Sequence, residues 1–359
     1  MRFRHTELLA AQSITTAGTY PLDINVKDVI SALYLVIIAE NAAHIPTGHP
    51  SLIAKQVDLV DGSDVLHSLR GCYSQSMAFY GTGIQPHNYL NYVDSGKAKA
   101  VIPIYFGREL WDNEFALDPQ AFNNLQLKIQ HDYALGGSTP DGCTMEVWAD
   151  IFDDRPAGLQ GFFMAKSAWT KTLVASTTYY VDLPTDYPIR FVMPAGFSND
   201  QEPNIQINSV KLTEDHDKRV VLETTGKHLL KMCEAQYPEI IEHGEANLEA
   251  NADQECFVTP TKDIQMIPIM KEDSDGIIHA PWSGGNGRIL DASVGGVCTF
   301  VCSGRAMHGV IPIAMGRKDR PDEWWNTPEL GSARIKMVTH ADGDTAALFE
   351  LLLQQKRTY

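Results

Sequence analysis

A chain that repeats its own order of strands, turns and glycines must fold as two similar units, and four such repeats run in the same order through this sequence. The first pair is Thr19-Tyr-Pro-Leu-Asp-Ile-Asn-Val26 and Thr178-Tyr-Tyr-Val-Asp-Leu183. Leu22, Ile24 and Val26 alternate with Asp23 and Asn25, the period of a strand with one buried face. Each member leads through a short polar turn into an apolar run, Val29 to Ile38 in one copy and Ile189 to Met193 in the other. The second pair runs from Val57 to Gly71 and from Val210 to Gly226, and each reads as strand, turn, strand and terminating glycine. Short segments with helical spacing follow, around Ser76–Phe79 and Leu229–Met232. The third pair is Ile102-Pro-Ile-Tyr-Phe-Gly-Arg108 and Ile311-Pro-Ile-Ala-Met-Gly-Arg317, each followed by an acidic and aromatic stretch and then by a Lys-bearing strand, Leu125–Gln130 or Ala333–Val338. In the fourth, Asp141-Gly142 and Asp342-Gly343 are expected to turn the chain into last strands, Met145–Phe152 and Leu348–Leu353.

Short strands, close turns and one brief helix per copy place the chain in the all-β class as two tandem β-sandwiches, for which a jelly roll is one standard topology. The expected division is residues 1–156 and 157–359. Gly71 to Ile102 is a short gap and Gly226 to Ile311 a long one, so the second unit carries an insertion over residues 227–310. It contains the acidic stretch Glu239–Glu255, the segment Met266–Asp275 and Pro281-Trp-Ser-Gly-Gly-Asn-Gly-Arg288, and is expected as surface loop at one end of the second sandwich.

Length and charge narrow the function. The 359 residues exceed a usual single domain, which agrees with two units. The net charge of -16 is the wrong sign for a protein that displaces counterions from phosphates, so direct nucleic-acid contact is not expected. The N-terminus lacks the apolar core of a signal peptide, and Ile30–Ala39 is too short to cross a bilayer, so cytoplasmic synthesis is expected. The stretch Thr6–Gln12, with Leu8 and Leu9, is a candidate helix.

Cys72, Cys143, Cys233, Cys256, Cys298 and Cys302 form no CxxC pair and read as free thiols in apolar surroundings; Cys298 and Cys302 would share one face of a strand. A two-sandwich metal enzyme would need His-x-His on a strand, which does not occur, and His44 and His49 read as solvated loop residues. Asp58, Asp61 and Asp64 could hold calcium around the Asp-Gly-Ser-Asp turn, but the favoured reading is a hairpin whose Asp-Gly supplies positive φ. Ser283–Arg288 lacks the ending of a phosphate loop and reads as a flexible turn, and no GxSxG elbow is present. Trp282, Trp324 and Trp325 suit sugar stacking; adjacent indoles on a strand point to opposite faces, however, so one of the Trp324-Trp325 pair should enter a core and the other an interface. Phe115 holds the matching place in the first copy, which favours packing.

The duplicated module, the strand-turn-strand around Asp61-Gly62-Ser63, the paired Ile-Pro-Ile-x-x-Gly-Arg segments and the ending from Ser332 to Tyr359 resemble the double jelly-roll major capsid proteins of tailless icosahedral phages and archaeal viruses. The resemblance implies a structural subunit and no enzyme: a homotrimer whose six sandwiches make a pseudo-hexameric tile in a virion shell. It implies neighbouring trimers, penton and minor capsid proteins as partners, an internal lipid membrane in those members that carry one, and tower loops corresponding to the insertion. It assigns no catalytic residue, cofactor, metal or small-molecule substrate. The alternatives are a two-jelly-roll hydrolase acting on glycans, suggested by the 45 carboxylates, and a lectin-like, receptor-binding virion protein, suggested by the tryptophans.

Overall fold

The computed structural model describes residues 2–248, 252–270, 277–281, 284–291 and 296–359. The first half contains β1 (Phe3–Ile14), β2 (Gly18–Asp23), β3 (Ile30–Gly48), β4 (Ala54–Asp61), β5 (Asp64–Leu69), α1 (Gly71–Thr82), β6 (Leu90–Tyr92), β7 (Lys97–Tyr105), β8 (Leu125–His131) and β9 (Gly137–Phe152). Two sheets result, ordered β1-β9-β3-β7 and β2-β8-β4-β5. Alternate residues of both face each other, with Leu33, Leu35 and Ile37 of β3 and Met145 and Val147 of β9 meeting Val57 and Leu59 of β4 and Leu127 and Ile129 of β8.

The second half repeats this order. It contains β10 (Gly161–Thr172), β11 (Thr178–Leu183), β12 (Ile189–Phe197), α2 (Pro203–Gln206), β13 (Ile207–Glu214), β14 (Arg219–Thr225) and α3 (Gly226–Gln236). An inserted module follows, with β15 (Ile240–Leu248), β16 (Ala252–Phe257), β17 (Pro260–Met270), β18 (Ile277–Pro281), β19 (Asn286–Asp291) and β20 (Gly296–Met307). The chain then resumes with β21 (Ile313–Ala314), β22 (Ala333–Thr339) and β23 (Leu348–Thr358). The neighbours run β10-β23-β12-β21 and β11-β22-β13-β14, strand for strand the order of the first half. Eight strands in this order make a jelly roll, and the chain has two.

The rolls share a sheet. β5 pairs in parallel with β10, Ala165 opposite His67, so one sheet of the first roll continues into one of the second as eight strands. The inserted module is folded into strands of its own: β17-β20-β15-β6 form one sheet and β16-β19-β18 another. β6 comes from the first roll and lies parallel to β15, so both halves build this module. Its core holds Leu90, Tyr92, Phe257, Met266 and Phe300 with Cys256, Cys298 and Cys302. The last two lie on one face of β20, as their spacing predicts.

Two glycines explain why each helix starts where it does. A Cβ on Gly71 would lie 2.5 Å from the Ser51 carbonyl oxygen, and one on Gly226 would lie 1.9 Å from that of Ile207. Only glycine lets the first turn approach so closely.

The inserted segment, expected as surface loop, is built of strands, and two further expectations fail here. Thr6–Gln12 is strand, because β1 pairs along β9 (Thr6 with Ala149, Glu7 with Trp148) and Leu8 and Leu9 supply too little apolar surface for a helix stripe. Asp141-Gly142 lies inside β9, whose pairing with β3 reaches back to Gly137 and Gly48; the reversal sits earlier, where Gly137 takes φ 85°.

Candidate functional sites

The junction between the rolls is aromatic and densely bonded. α1 lies between them, with Tyr73, Met77 and Tyr80 against Phe191, Met193 and Ala195 on the outer face of β12. Trp324 packs on Phe115 and Phe163, ring centroids 5.9 and 5.5 Å away, while Trp325 enters the core of the second roll. The two indoles thus divide as expected, and the pair Phe115 and Trp324, equivalent in the duplication, meet each other. The Trp325 indole N–H donates to Glu214 at 2.6 Å and that of Trp324 to the Arg317 carbonyl at 2.8 Å, so both are committed to packing.

Arg190, only 3 % exposed, is the centre of this junction. Its guanidinium donates to Gln354 at 2.7 Å and to the Gly81 carbonyl at 2.8 Å, and lies 4.8 Å from the ring centres of Phe163 and Phe191. Burial pulls its pKa down to about 9. Arg357 reaches from β23 to Asp64 at 2.8 Å, and Arg70 to Glu350 at 2.8 Å. The repeated Gly-Arg pairs clip their own acidic loops, Arg108 to Asp112 and Glu114, and Arg317 to Glu323.

A buried polar cluster ties the inserted module to the first roll. Glu242 of β15 accepts from the Thr259 backbone N–H (2.8 Å), the Thr259 hydroxyl (2.5 Å) and the Asn88 amide (2.9 Å). The Asn88 carbonyl accepts from Gln75, whose own carbonyl meets His308 at 2.8 Å. His49 joins Ser51 at 2.7 Å and Thr259 at 3.0 Å. His49 and its fellow candidate His44 are therefore not the solvated loop residues expected, although His49 does lie in the connection that follows β3. His44 lies within β3, and His49 is 1 % exposed because the inserted module closes over it.

Desolvation works against the Glu242 charge, yet its bonds to His49, Thr259 and Asn88 hold its pKa down to about 2. Burial pushes His308 well below the usual imidazole range. Ser51, His49 and Glu242 stand in the order of a nucleophile, base and orienting acid, but Ser51 is fully buried and no substrate carbonyl can reach it. The arrangement can fix two elements together; it cannot turn over a substrate. Sequence spacing gives no signal for it, since its members lie about 50 to 310 along the chain. Arg190 did carry a signal: it is the one charge in the apolar run Ile189–Met193.

The remaining candidates have ordinary partners. Asp58 accepts from Gln56 and Ser68, Asp61 from the backbone N–H groups of Asn123 and Asn124, and Asp64 pairs with Arg357, while Gly62 turns the hairpin at φ 60°. Among the described residues no group of three His, Cys, Asp or Glu is arranged to hold a metal. Five of the six cysteines are buried and Cys233 is half-buried; burial raises Cys72, Cys143 and Cys233 to about 12. Gly284 and Gly285 form a turn, but one packed against Ser198 and Gln201 and not a loose one. Trp282 and Ser283 lie outside the described residues.

No family model matches this chain, and no curated protein matches it. Solved structures do. The major capsid protein P2 of bacteriophage PM2 matches with a TM-score of 0.57 at 9 % identity, covering 100 % of this chain and 98 % of that one. The PBCV-1 virus capsid gives 0.57 at 11 % identity, covering 99 % and 93 %. The STIV MCP gives 0.55 at 11 % identity, covering 99 % and 96 %. At these identities the likeness is one of fold, and it extends over both rolls and the inserted module.

Proposed function

We propose that this chain is a viral major capsid protein, a structural subunit that forms pseudo-hexameric homotrimers and tiles an icosahedral shell. The observation that carries the reading is the whole-chain likeness to capsid proteins, combined with two rolls of identical strand order joined through one sheet. A chain built this way offers similar edges twice, and three copies offer six, which suits packing in near-equivalent surroundings. The division falls after residue 156, between β9 and β10. The chain resides in the virion after synthesis in the host cytoplasm, with other trimers and with penton and minor capsid proteins as its partners. The charge of -16 leaves the genome to other components.

Catalysis has no part in this reading. The sealed Ser51, His49 and Glu242 cluster does not favour a hydrolase, and the buried Trp324 and Trp325 do not favour a sugar platform. Light scattering over a range of protein concentrations tests the proposal. Three times the chain mass of 39.8 kDa is expected, with shells visible by electron microscopy on concentration. A chain that stays single at high concentration would overturn it.

A further inference from the structure

The contact between the two rolls of one chain has a counterpart that the single chain leaves open. In the closed junction, α1 of the first roll covers the outer face of β12, and eleven of its residues, Gly71 to Gly81, are buried. The equivalent helix α3 buries only Gly226, Leu229 and Leu230 and leaves Lys227, His228, Lys231 and Met232 exposed. With Gly226 set against Gly71, Met232 takes the place of Met77, which is 4 % exposed where Met232 is 42 % exposed.

The receiving face is open in the same way. Phe191, Met193 and Ala195 of β12 lie beneath α1, and their equivalents in β3 are Ala32, Tyr34 and Val36. Tyr34, Val36 and Ile38 are half-exposed although β3 reads as a continuous apolar run, the pattern of a strand covered on both faces. Trp148, paired with Tyr34, adds a side chain 37 % exposed. The strand edges match too. β5 is joined to β10 in the closed junction, whereas β14 and β1, their equivalents, are both free sheet edges. Charge agrees: α3 presents Lys227, His228 and Lys231, and the β3 face carries Glu7 and Glu146 beside Trp148 and Val36.

We infer that α3 and β14 of one copy dock on the outer face of β3 and the edge of β1 of a second copy, repeating between chains the contact that α1 and β5 make within one. Met232 fills the place against Tyr34 and Val36 that Met77 fills against Met193 and Ala195. The contact is head-to-tail, and such contacts make rings when the rotation closes. This inference rests on the capsid reading and adds to it the surface through which the copies meet.

The test compares the solution masses of the wild type, Met232→Asp, Val36→Asp and Lys231→Glu with that of Tyr180→Asp, which alters an exposed aromatic residue on another face. Circular dichroism confirms that each is folded. The wild type and Tyr180→Asp should run at three chain masses. Met232→Asp and Val36→Asp should run at one, and Lys231→Glu should associate at least tenfold more weakly. Should either aspartate variant fail to fold, Lys231→Glu, which changes only an exposed charge, decides the matter alone. Folded variants that all remain at three chain masses would overturn this interface and leave the capsid reading intact. A wild type at one chain mass would overturn the capsid reading itself.

Discussion

At the scale of single residues, close approach and burial set the sharpest constraints. Gly226 has the Ile207 carbonyl where a Cβ would go, so Gly226→Ala must shift backbone, and overpacking of this kind costs about 1–3 kcal/mol. Urea unfolding should show a free energy lowered by that amount, whereas Gly296→Ala, in open space, should change it little. Histidines set the acid limit. Burial lowers the pKa values of His67, His131 and His308, His67 to about 3, while the unfolded chain titrates near about 6.5. Below that pH the unfolded state binds more protons, so their contribution is whole above about pH 6.5 and is lost as the pH falls towards the folded values. Each histidine can remove about 1.4 kcal/mol per pH unit in that window. Urea unfolding at pH 7.5 and 5.5 should show the loss, and His67→Asn should make it smaller.

At the scale of elements, the inserted module is held to the first roll by β6 and by the Glu242 cluster. Glu242→Gln keeps the shape but places an amide N–H where Glu242 accepts bonds, at a cost of about 1–3 kcal/mol. Hydrogen exchange should quicken in β6 and β15 and leave β4 and β8 unchanged. This is also the scale at which legibility in the sequence divides. β2, β4, β8, β11, β13 and β22 each bury one face, so alternation marks them, and Gly71 and Gly226 mark both helices. β1 escaped because it is an edge strand whose residues are mostly exposed, which gives no period to read. Asp141-Gly142 misled because Asp-Gly permits a turn without imposing one, and here pairing with β3 holds it extended within β9. The cluster of His49, Glu242, Thr259 and His308 was invisible because tertiary folding alone brings together groups so distant in the chain. Phe115 and Trp324 were legible as equivalents, and their meeting follows from the two rolls facing each other.

At the scale of the whole molecule, the shared sheet and the aromatic junction should make the rolls unfold together. Trp324→Ala removes a large buried ring from that junction, at a cost of about 3–5 kcal/mol. Calorimetry should then resolve two transitions where the wild type shows one. The arrangement of the last strand has a further consequence, for the timing of synthesis. β23 lies between β10 and β12, so one sheet of the second roll has a gap at its centre until the final eleven residues of that strand leave the ribosome. A nascent chain can close its first roll early, yet its second stays open, with β10 and β12 unjoined, until β23 has emerged. Chains cut short before β23 therefore cannot close the second roll, and strand order alone keeps them from passing as finished folds.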